Sequence, residues 1–295
     1  MSGVVQAIKK AQILSDEDSF TELAKLKNYS GKNIVSGKYT LKGSMTNNDL
    51  INHLRKGNGR EEVNVTFNNC LNIEQLAGKV SAQLELDSSA LVELIQSKEL
   101  VDKYGFNEKT MPTLFIPNTY RFQWSTNEQE FVDRMAKEYK KFWNEDRKAL
   151  LKKINMTESK VAILASIVEE EQNLHPEEWK TIAGVYMNRL HKGILLQADP
   201  TVKFALGDRT IKRLLYKHLE VNSPYNTYKH AGVPPGPLRI PSTKSMDAVL
   251  NYEKHQYIYF CAKPGGEGYH SFAKTLSQHN ANANAYHRWL NKNGY

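Results

Sequence analysis

The sequence predicts an α+β protein in which a small N-terminal α+β region, residues 1–110, precedes a larger α+β domain, residues 111–295. Two observations predict this class. In the first third, short β-branched stretches alternate with amphipathic ones in a strand–helix rhythm. Beyond it, helix-spaced apolar positions dominate, with one clear strand, QYIYFCA, at 256–262.

Taken in order, residues 14–27 predict a short helix with apolar Phe20, Leu23, Ala24 and Leu26. Residues 34–41 (IVSGKYTL) have the β-branched and aromatic content of a strand broken at Gly37. Residues 45–54 predict a helix with Thr46 as its N-cap and Leu50, Ile51 and Leu54 on one face, stopped by Gly57 and Gly59. Residues 62–67 alternate as a strand, and 73–84 read as a helix. A further helix is predicted over 88–103, with Leu91, Leu94 and Ile95 on one face, followed by a turn-rich connector over 107–124. Residues 128–152 read as one long charged helix with Phe131, Met135, Tyr139, Phe142 and Trp143 at helical spacing.

Composition narrows the function classes. The formal charge of +8 and pI near 9.2 suit an anionic partner or a solvated basic surface. The basic residues are dispersed and no nucleic-acid-binding motif is present, so no nucleic-acid partner is expected. Cys70 and Cys261 are too few for a disulfide framework or a zinc site, and free buried thiols are the expectation. No run of about 18 apolar residues predicts a membrane span. The glycines at 265, 266 and 268 lack phosphate-loop spacing.

The informative stretch is TESKVAILASIVEEEQ, residues 157–172. Thr157 is placed to cap a helix, and Leu164, Ile167 and Val168 define its buried stripe. Glu171 is the next member of that series. At about 100° per residue it lies about 20° from Leu164, while Glu169 and Glu170 swing away. A carboxylate on an apolar face must be paired or kept protonated by desolvation, and a raised pKa is what a general acid needs. The alternative is a helix ending near Glu170, with Glu171 turned into solvent.

Downstream, after a helix carrying Ile182, Val185, Tyr186 and Leu190, the residues Gln197, Asp199 and Thr201 alternate as they would on one face of a strand. Asp199 alternatively caps a helix starting at Pro200 or Thr201. The loops 222–228 (NSPYNTY) and 232–241 (GVPPGPLRIP) are rich in amides, hydroxyls and rings, groups that suit a sugar polymer. His270 and His279 are candidate polar site residues, and each loop or histidine also reads as ordinary surface structure.

At these residues the sequence resembles the endolytic murein transglycosylase family, also called YceG-like or MltG. The resemblance rests on ASIVEEE at 165–171, VYMNRL at 185–190, LQADPTV at 196–202, SPYNTY at 223–228, GVPPGPLRIP at 232–241 and YHSFAKTLSQHN at 269–280. Upstream, FIPNTYRF at 115–122 continues it, and the stretch from SGKYTL to LINHLRKG resembles the family's small LysM-like module. The resemblance implies a LysM-like module followed by an α+β catalytic domain, and a catalytic glutamate at Glu171. It implies a substrate-binding cleft of Asn188, Gln197, Asp199, Thr201, Tyr225, Asn226, Thr227, Tyr228 and His270, with no metal or cofactor. The implied substrate is peptidoglycan, cleaved at the MurNAc–GlcNAc β-1,4 bond inside glycan strands to leave 1,6-anhydro-MurNAc ends, with cell-wall synthases as partners. The implied location is the extracytoplasmic, periplasmic face of the bacterial cytoplasmic (inner) membrane. The family usually carries an N-terminal transmembrane anchor that this sequence lacks, and the expectation is that it was removed. Two other readings stay open: a hydrolytic muramidase using Asp199 as general base, and a non-catalytic peptidoglycan-binding scaffold.

Overall fold

The structure, a computed structural model, describes residues 2–14, 16–57, 59–211 and 214–294. The chain begins with helices α1 (Ser2–Lys10) and α2 (Glu17–Leu26), the latter capped by Asp16, which accepts from the amides of Asp18 and Ser19. Helix α3 (Asn47–Lys56) starts in a reciprocal capping box between Thr46 and Asp49. It stops at Gly57, whose φ of 66° is the left-handed conformation that glycine adopts without strain. Strand β1 (Glu62–Phe67) and helices α4 (Ile73–Ser81), α5 (Ser88–Gln96) and α6 (Lys98–Tyr104) follow. A 3-10 turn at Met111–Leu114 leads into β2 (Asn118–Gln123).

Next come α7 (Glu128–Phe142), α8 (Glu145–Ile154), α9 (Glu158–Glu171), α10 (Trp179–His191), α11 (Asp199–Ala205), α12 (Tyr216–Leu219) and α13 (Thr243–Leu250). The chain closes with β3 (Tyr259–Ala262), β4 (His270–Ala273) and α14 (Leu276–Lys292). Mixed helix and strand content makes this an α+β protein. No helix among the described residues is long and apolar enough to cross a membrane. Neither Cys70, which is buried, nor Cys261, which is part-exposed, is in a disulfide.

Two units form, each discontinuous in sequence. The first comprises Met1–Thr66, Ala77–Leu91 and Thr119–Phe131. Its helical core joins Ile8 of α1, Phe20 and Ala24 of α2, and Leu50, Ile51 and Leu54 of α3 around Tyr29. β1 and β2 pair as a two-stranded sheet, with Trp124 N–H donating to Glu61 O at one end and the Thr66 and Thr119 hydroxyls 2.7 Å apart at the other.

The second unit comprises Phe67–Leu76, Val92–Asn118 and Val132–Tyr295. At its centre lies α9, with every residue from Val161 to Val168 buried. It packs against α13, α10 and α11. Thr157 caps it by accepting from Lys160 N–H. Arg147 of α8 makes a two-pronged pair with Asp247 of α13 at 2.9 and 3.0 Å. The proline-rich loop is pinned to α9 where Leu238 N–H donates to Ser166 Oγ at 2.9 Å. β3 and β4 form an antiparallel hairpin, Tyr259 opposite Ala273 and Ala262 opposite His270, and α14 packs on both strands.

Four sequence expectations are corrected. Residues 34–41 form no strand beyond a bridge from Tyr39 to Arg60, because the Tyr39 hydroxyl donates back to Val35 O at 2.7 Å and curls the segment. The helix expected over 88–103 is two, since Ser97 leaves helical geometry and caps α6 through Leu100 N–H. The helix over 128–152 is likewise two, divided at Asn144, which caps α8 through Arg147 N–H. Residues 197–201 are not a strand: Asp199 and Pro200 open α11, as proline in a first helical turn favours. The expectations for 107–124 and the C-terminus passed over β2, β4 and α14.

A close approach governs α10. A Cβ on Gly184 would lie 2.4 Å from Glu253 O and 2.6 Å from His255 Nε2. Gly184→Ala is therefore expected to destabilise the protein by about 1–3 kcal/mol through overpacking. Urea unfolding should show a lower midpoint at unchanged slope, and an unchanged midpoint would refute the close packing.

Candidate active site

α9 ends on three successive glutamates, and about 100° of rotation per residue sends each to a different partner. Glu169 Oε2 accepts from Ser242 N–H and Ser245 Oγ, both at 2.8 Å. Glu170 Oε1 accepts from Arg209 Nη1 at 3.0 Å and from the buried Arg239 at 3.1 Å. Glu171 Oε1 accepts from the Tyr186 hydroxyl at 2.5 Å, and no Lys or Arg forms an ion pair with it among the described residues. The single buried stripe expected for this helix is replaced by burial on all sides, and all three glutamates are part-buried. What separates Glu171 from its neighbours is its partner, a lone neutral phenol in place of two arginines or of an amide and a hydroxyl together.

Glu171 opens onto a cavity of about 550 Å³ within the second unit. One wall is the β3–β4 hairpin, with Tyr259, Phe260, Cys261 and His270. A second is α14, whose Leu276, His279, Ala283, Tyr286 and His287 share one face at helical spacing. Tyr186 and Arg189 come from α10, Gln197 and Asp199 from the start of α11, and Tyr228 from the following loop.

Burial is the largest influence on the Glu171 carboxyl and pushes it from 4.5 up to about 8. The Tyr186 hydrogen bond opposes this, while the negative charge of Asp199 adds to it. The residue is part-buried and lines the cavity. Its place at a helix C-terminus works in the same direction, since the helix dipole disfavours an anion there. Burial, followed by the Glu171 charge, also raises Tyr186 well above the ordinary phenol range. Tyr228, raised by burial and by its 2.5 Å bond to Asp199 Oδ1, likewise stays a protonated donor.

The expected cleft residues divide into two groups. Gln197, Asp199, Tyr228 and His270 line the cavity with Glu171. His270 is held from behind by Glu178, its Nδ1 at 2.8 Å from Oε2, which directs Nε2 away from that carboxylate. Asn188, Thr201, Asn226 and Thr227 are spent on the scaffold. Asn188 Nδ2 donates to His255 O and Tyr257 O at 2.8 and 2.9 Å, fixing the chain before β3. Asn226 Nδ2 donates to Leu219 O and Val221 O. Thr201 and Thr227 share a buried hydroxyl contact at 2.8 Å, and Thr227 Oγ1 accepts from Ala198 N–H at 3.0 Å. Tyr225 lines a different cavity of about 520 Å³, packed on Phe204 with ring centroids 4.7 Å apart. That cavity contains neither Glu171 nor the hydroxyls around it. Of the α14 face only His279 was a candidate from sequence; Tyr186, Arg189, Tyr259 and Phe260 were not singled out as site residues, although Tyr186 and Arg189 lie in the quoted VYMNRL segment. No group of three or more His, Cys, Asp or Glu among the described residues is placed to hold a metal ion.

With this geometry in view, comparison with known proteins settles the family: the YceG-like family model matches residues 1–285. The chain belongs to the YceG-like family. It is 30% identical to the endolytic murein transglycosylase of Bacillus subtilis (strain 168), over 95% of this chain and 80% of that protein. It is 28% identical to the endolytic murein transglycosylase of Streptococcus pneumoniae serotype 2, over 93% of this chain and 54% of that longer protein. Among solved structures it is similar to a YceG-like protein of Listeria monocytogenes, with a TM-score of 0.61, 28% identity, and 94% and 93% of the two chains covered.

Two outcomes follow from the carboxyl's environment in this YceG-like chain. Between 4.5 and about 8 the folded protein holds a proton on Glu171 that the unfolded chain releases, so this group makes stability fall as pH rises through that window. Glu171→Gln removes the effect: its melting temperature relative to wild type should climb across the window and level off above it. A pH-independent difference would show that the carboxyl is not held protonated. Because the Tyr186 bond lowers the Glu171 pKa, Tyr186→Phe should move any activity limb governed by Glu171 to higher pH, read from kcat/KM against pH. A limb that stays in place or moves down would sink the assignment.

Proposed function

We propose that this chain is an endolytic lytic transglycosylase that cleaves the MurNAc–GlcNAc β-1,4 bond within peptidoglycan strands and leaves 1,6-anhydro-MurNAc ends. The observation that carries the reading is a carboxyl held protonated near neutral pH by burial, at about 8, opening onto a 550 Å³ cavity. Its support from outside is membership of a family whose Bacillus and Streptococcus relatives are named endolytic murein transglycosylases.

In this mechanism Glu171 is the sole acid/base. Tyr186 donates to Oε1 at 2.5 Å, so the acidic proton sits on Oε2. Oε2–H protonates the glycosidic oxygen as the C1–O bond breaks and the sugar gains oxocarbenium character. The carboxylate so formed keeps the Tyr186 hydrogen bond and, at a pKa near 8, is basic enough to take the proton of the MurNAc 6-hydroxyl. That oxygen closes onto C1, the anhydro ring forms, and Glu171 returns to its starting state. The nucleophile is tethered to the reacting centre, so its effective concentration is high and no second carboxylate is needed.

Asp199 gives the hydrolytic alternative its footing, because it shares the cavity and accepts from Tyr228. There it would activate a water and leave a reducing end. In the transglycosylase reading it supplies the negative charge that helps keep Glu171 protonated. We read the stretch from SGKYTL to LINHLRKG, residues 36–57, as the family's LysM-like module, place the enzyme at the extracytoplasmic face of the cytoplasmic membrane through an N-terminal anchor, and take wall synthases as its neighbours. A membrane pull-down that recovers no synthase counts against the last point.

Mass spectrometry of purified glycan strands digested by wild type, Glu171→Gln and Asp199→Asn decides the chemistry. The expected products are internal 1,6-anhydro ends from wild type, with a loss of about 10²–10⁴ in Glu171→Gln. Reducing ends, abolished in Asp199→Asn, would establish hydrolysis, and cleavage by none would leave a glycan-binding scaffold.

A further inference from the structure

Arg189 is 7% exposed and lines the cavity, yet its guanidinium pairs with no carboxylate among the described residues. It donates to neutral oxygens: Nε to Ile258 O at 2.7 Å, and Nη1 to Leu195 O, Leu196 O and Gln197 Oε1 at 2.9, 3.1 and 3.0 Å. A cation buried in this way is an expensive arrangement, and burial lowers its pKa from the ordinary value. Its contacts clamp two segments of the cavity wall, the entry to β3 and the turn before α11.

Gln197 is the unusual residue in that turn. It is exposed, and its φ of 52° is left-handed, an uncommon conformation for a residue with a side chain. Its amide N–H donates to Thr227 O at 3.1 Å, and the neighbouring Ala198 N–H is held by Thr227 Oγ1 at 3.0 Å. The backbone is therefore fixed in this geometry from beneath. Arg189 fixes the side chain as well. An arginine only donates, so the carboxamide oxygen faces it and the N–H2 group faces away. That N–H2 makes no hydrogen bond to any described residue, and Gln197 is among the residues that line the cavity.

We propose that Arg189 is a positioning residue that locks Gln197 so that its carboxamide N–H2 is presented to the carbonyl oxygen of a substrate acetamido group. The inference rests on the transglycosylase reading and adds a specificity determinant to it. A fixed N–H2 donor suits an acceptor that cannot itself donate. On an N-acetylated glycan the acetamido carbonyl is a strong acceptor of that kind, carried on the carbon next to C1. The hydroxyls can accept or donate, and so impose no such direction.

The test compares kcat/KM for wild type, Gln197→Met, Arg189→Lys and the double variant. The substrates are N-acetylated glycan strands and the same strands chemically de-N-acetylated. On acetylated strands each single variant should lose about tenfold, the scale of one hydrogen bond, and the double variant should lose no more than the worse single. Wild type should lose a similar factor on de-N-acetylated strands, while the variants become indifferent to acetylation. Gln197→Met changes an exposed side chain, so it carries the acetylation arm even if Arg189→Lys does not fold. Losses that multiply in the double variant, or variants that discriminate acetylation as wild type does, overturn the positioning role. A wild type that cleaves neither substrate overturns the transglycosylase reading itself.

Discussion

Helix α9 runs through the core of its unit with Val161 to Val168 buried on every side, so its last turn emerges into protein and not into water. The placement sets the problem that the surrounding elements answer. Three carboxylates follow at a helix C-terminus, where the dipole and their mutual repulsion both disfavour charge. Glu169 is met by the Ser242 amide and the Ser245 hydroxyl at the start of α13, and Glu170 by Arg209 and Arg239. The loop that supplies Arg239 is tied to α9 through Ser166 and to Cys70 O through Ile240 N–H. Two of the three charges are thereby stabilised by groups distant in sequence, Arg209 lying 39 positions from Glu170 and Arg239 lying 69.

Glu171 is the remainder of that arrangement. Its partner, the Tyr186 hydroxyl, satisfies one carboxyl oxygen without neutralising a charge, so desolvation prevails and the proton stays. The same phenol would also stabilise the carboxylate once the proton has left. A lysine in its place would have depressed the pKa and produced a buried salt bridge, and an aliphatic residue would have left the carboxylate unsatisfied. A tyrosine lets one residue serve as acid and then as base, because neither protonation state is heavily favoured near neutral pH.

Legibility in the sequence followed the range of the forces involved. The strand over 62–67 and the Thr46 and Thr157 caps rest on local alternation and side-chain-to-backbone bonds, and they appear where the pattern places them. The break of long helices at Ser97 and Asn144 is also local, but a cap inside a continuing apolar pattern is masked by the periodicity on either side. Glu171's inward direction was readable from spacing. The spacing also set it apart by turning Glu169 and Glu170 away, whereas in the fold all three are part-buried and the distinction depends on Ser245, Arg209 and Arg239, which only the tertiary fold brings to α9. For the same reason Asn226 and Thr227 suggested sugar-binding polarity in sequence, while in the fold their donors and acceptors are consumed by backbone and by each other.

That consumption is what gives the exposed cavity groups their directions. Thr201 and Thr227 hold the turn that carries Gln197 and Asp199, and Asn188 holds the chain entering β3. Glu178, itself bonded to Gln172 beyond the end of α9, orients His270 on β4. Behind Gln197, Asp199 and His270 thus stand polar residues, Thr201, Thr227 and Glu178, that do not line the cavity. A sugar polymer offers many weak hydrogen-bonding groups of similar chemistry, so discrimination depends on donors and acceptors fixed in direction more than on their number. The amides and hydroxyls of Asn188, Thr201, Asn226 and Thr227 make that fixation, and they explain how a cavity with one perturbed carboxyl holds its remaining polar groups in place around it.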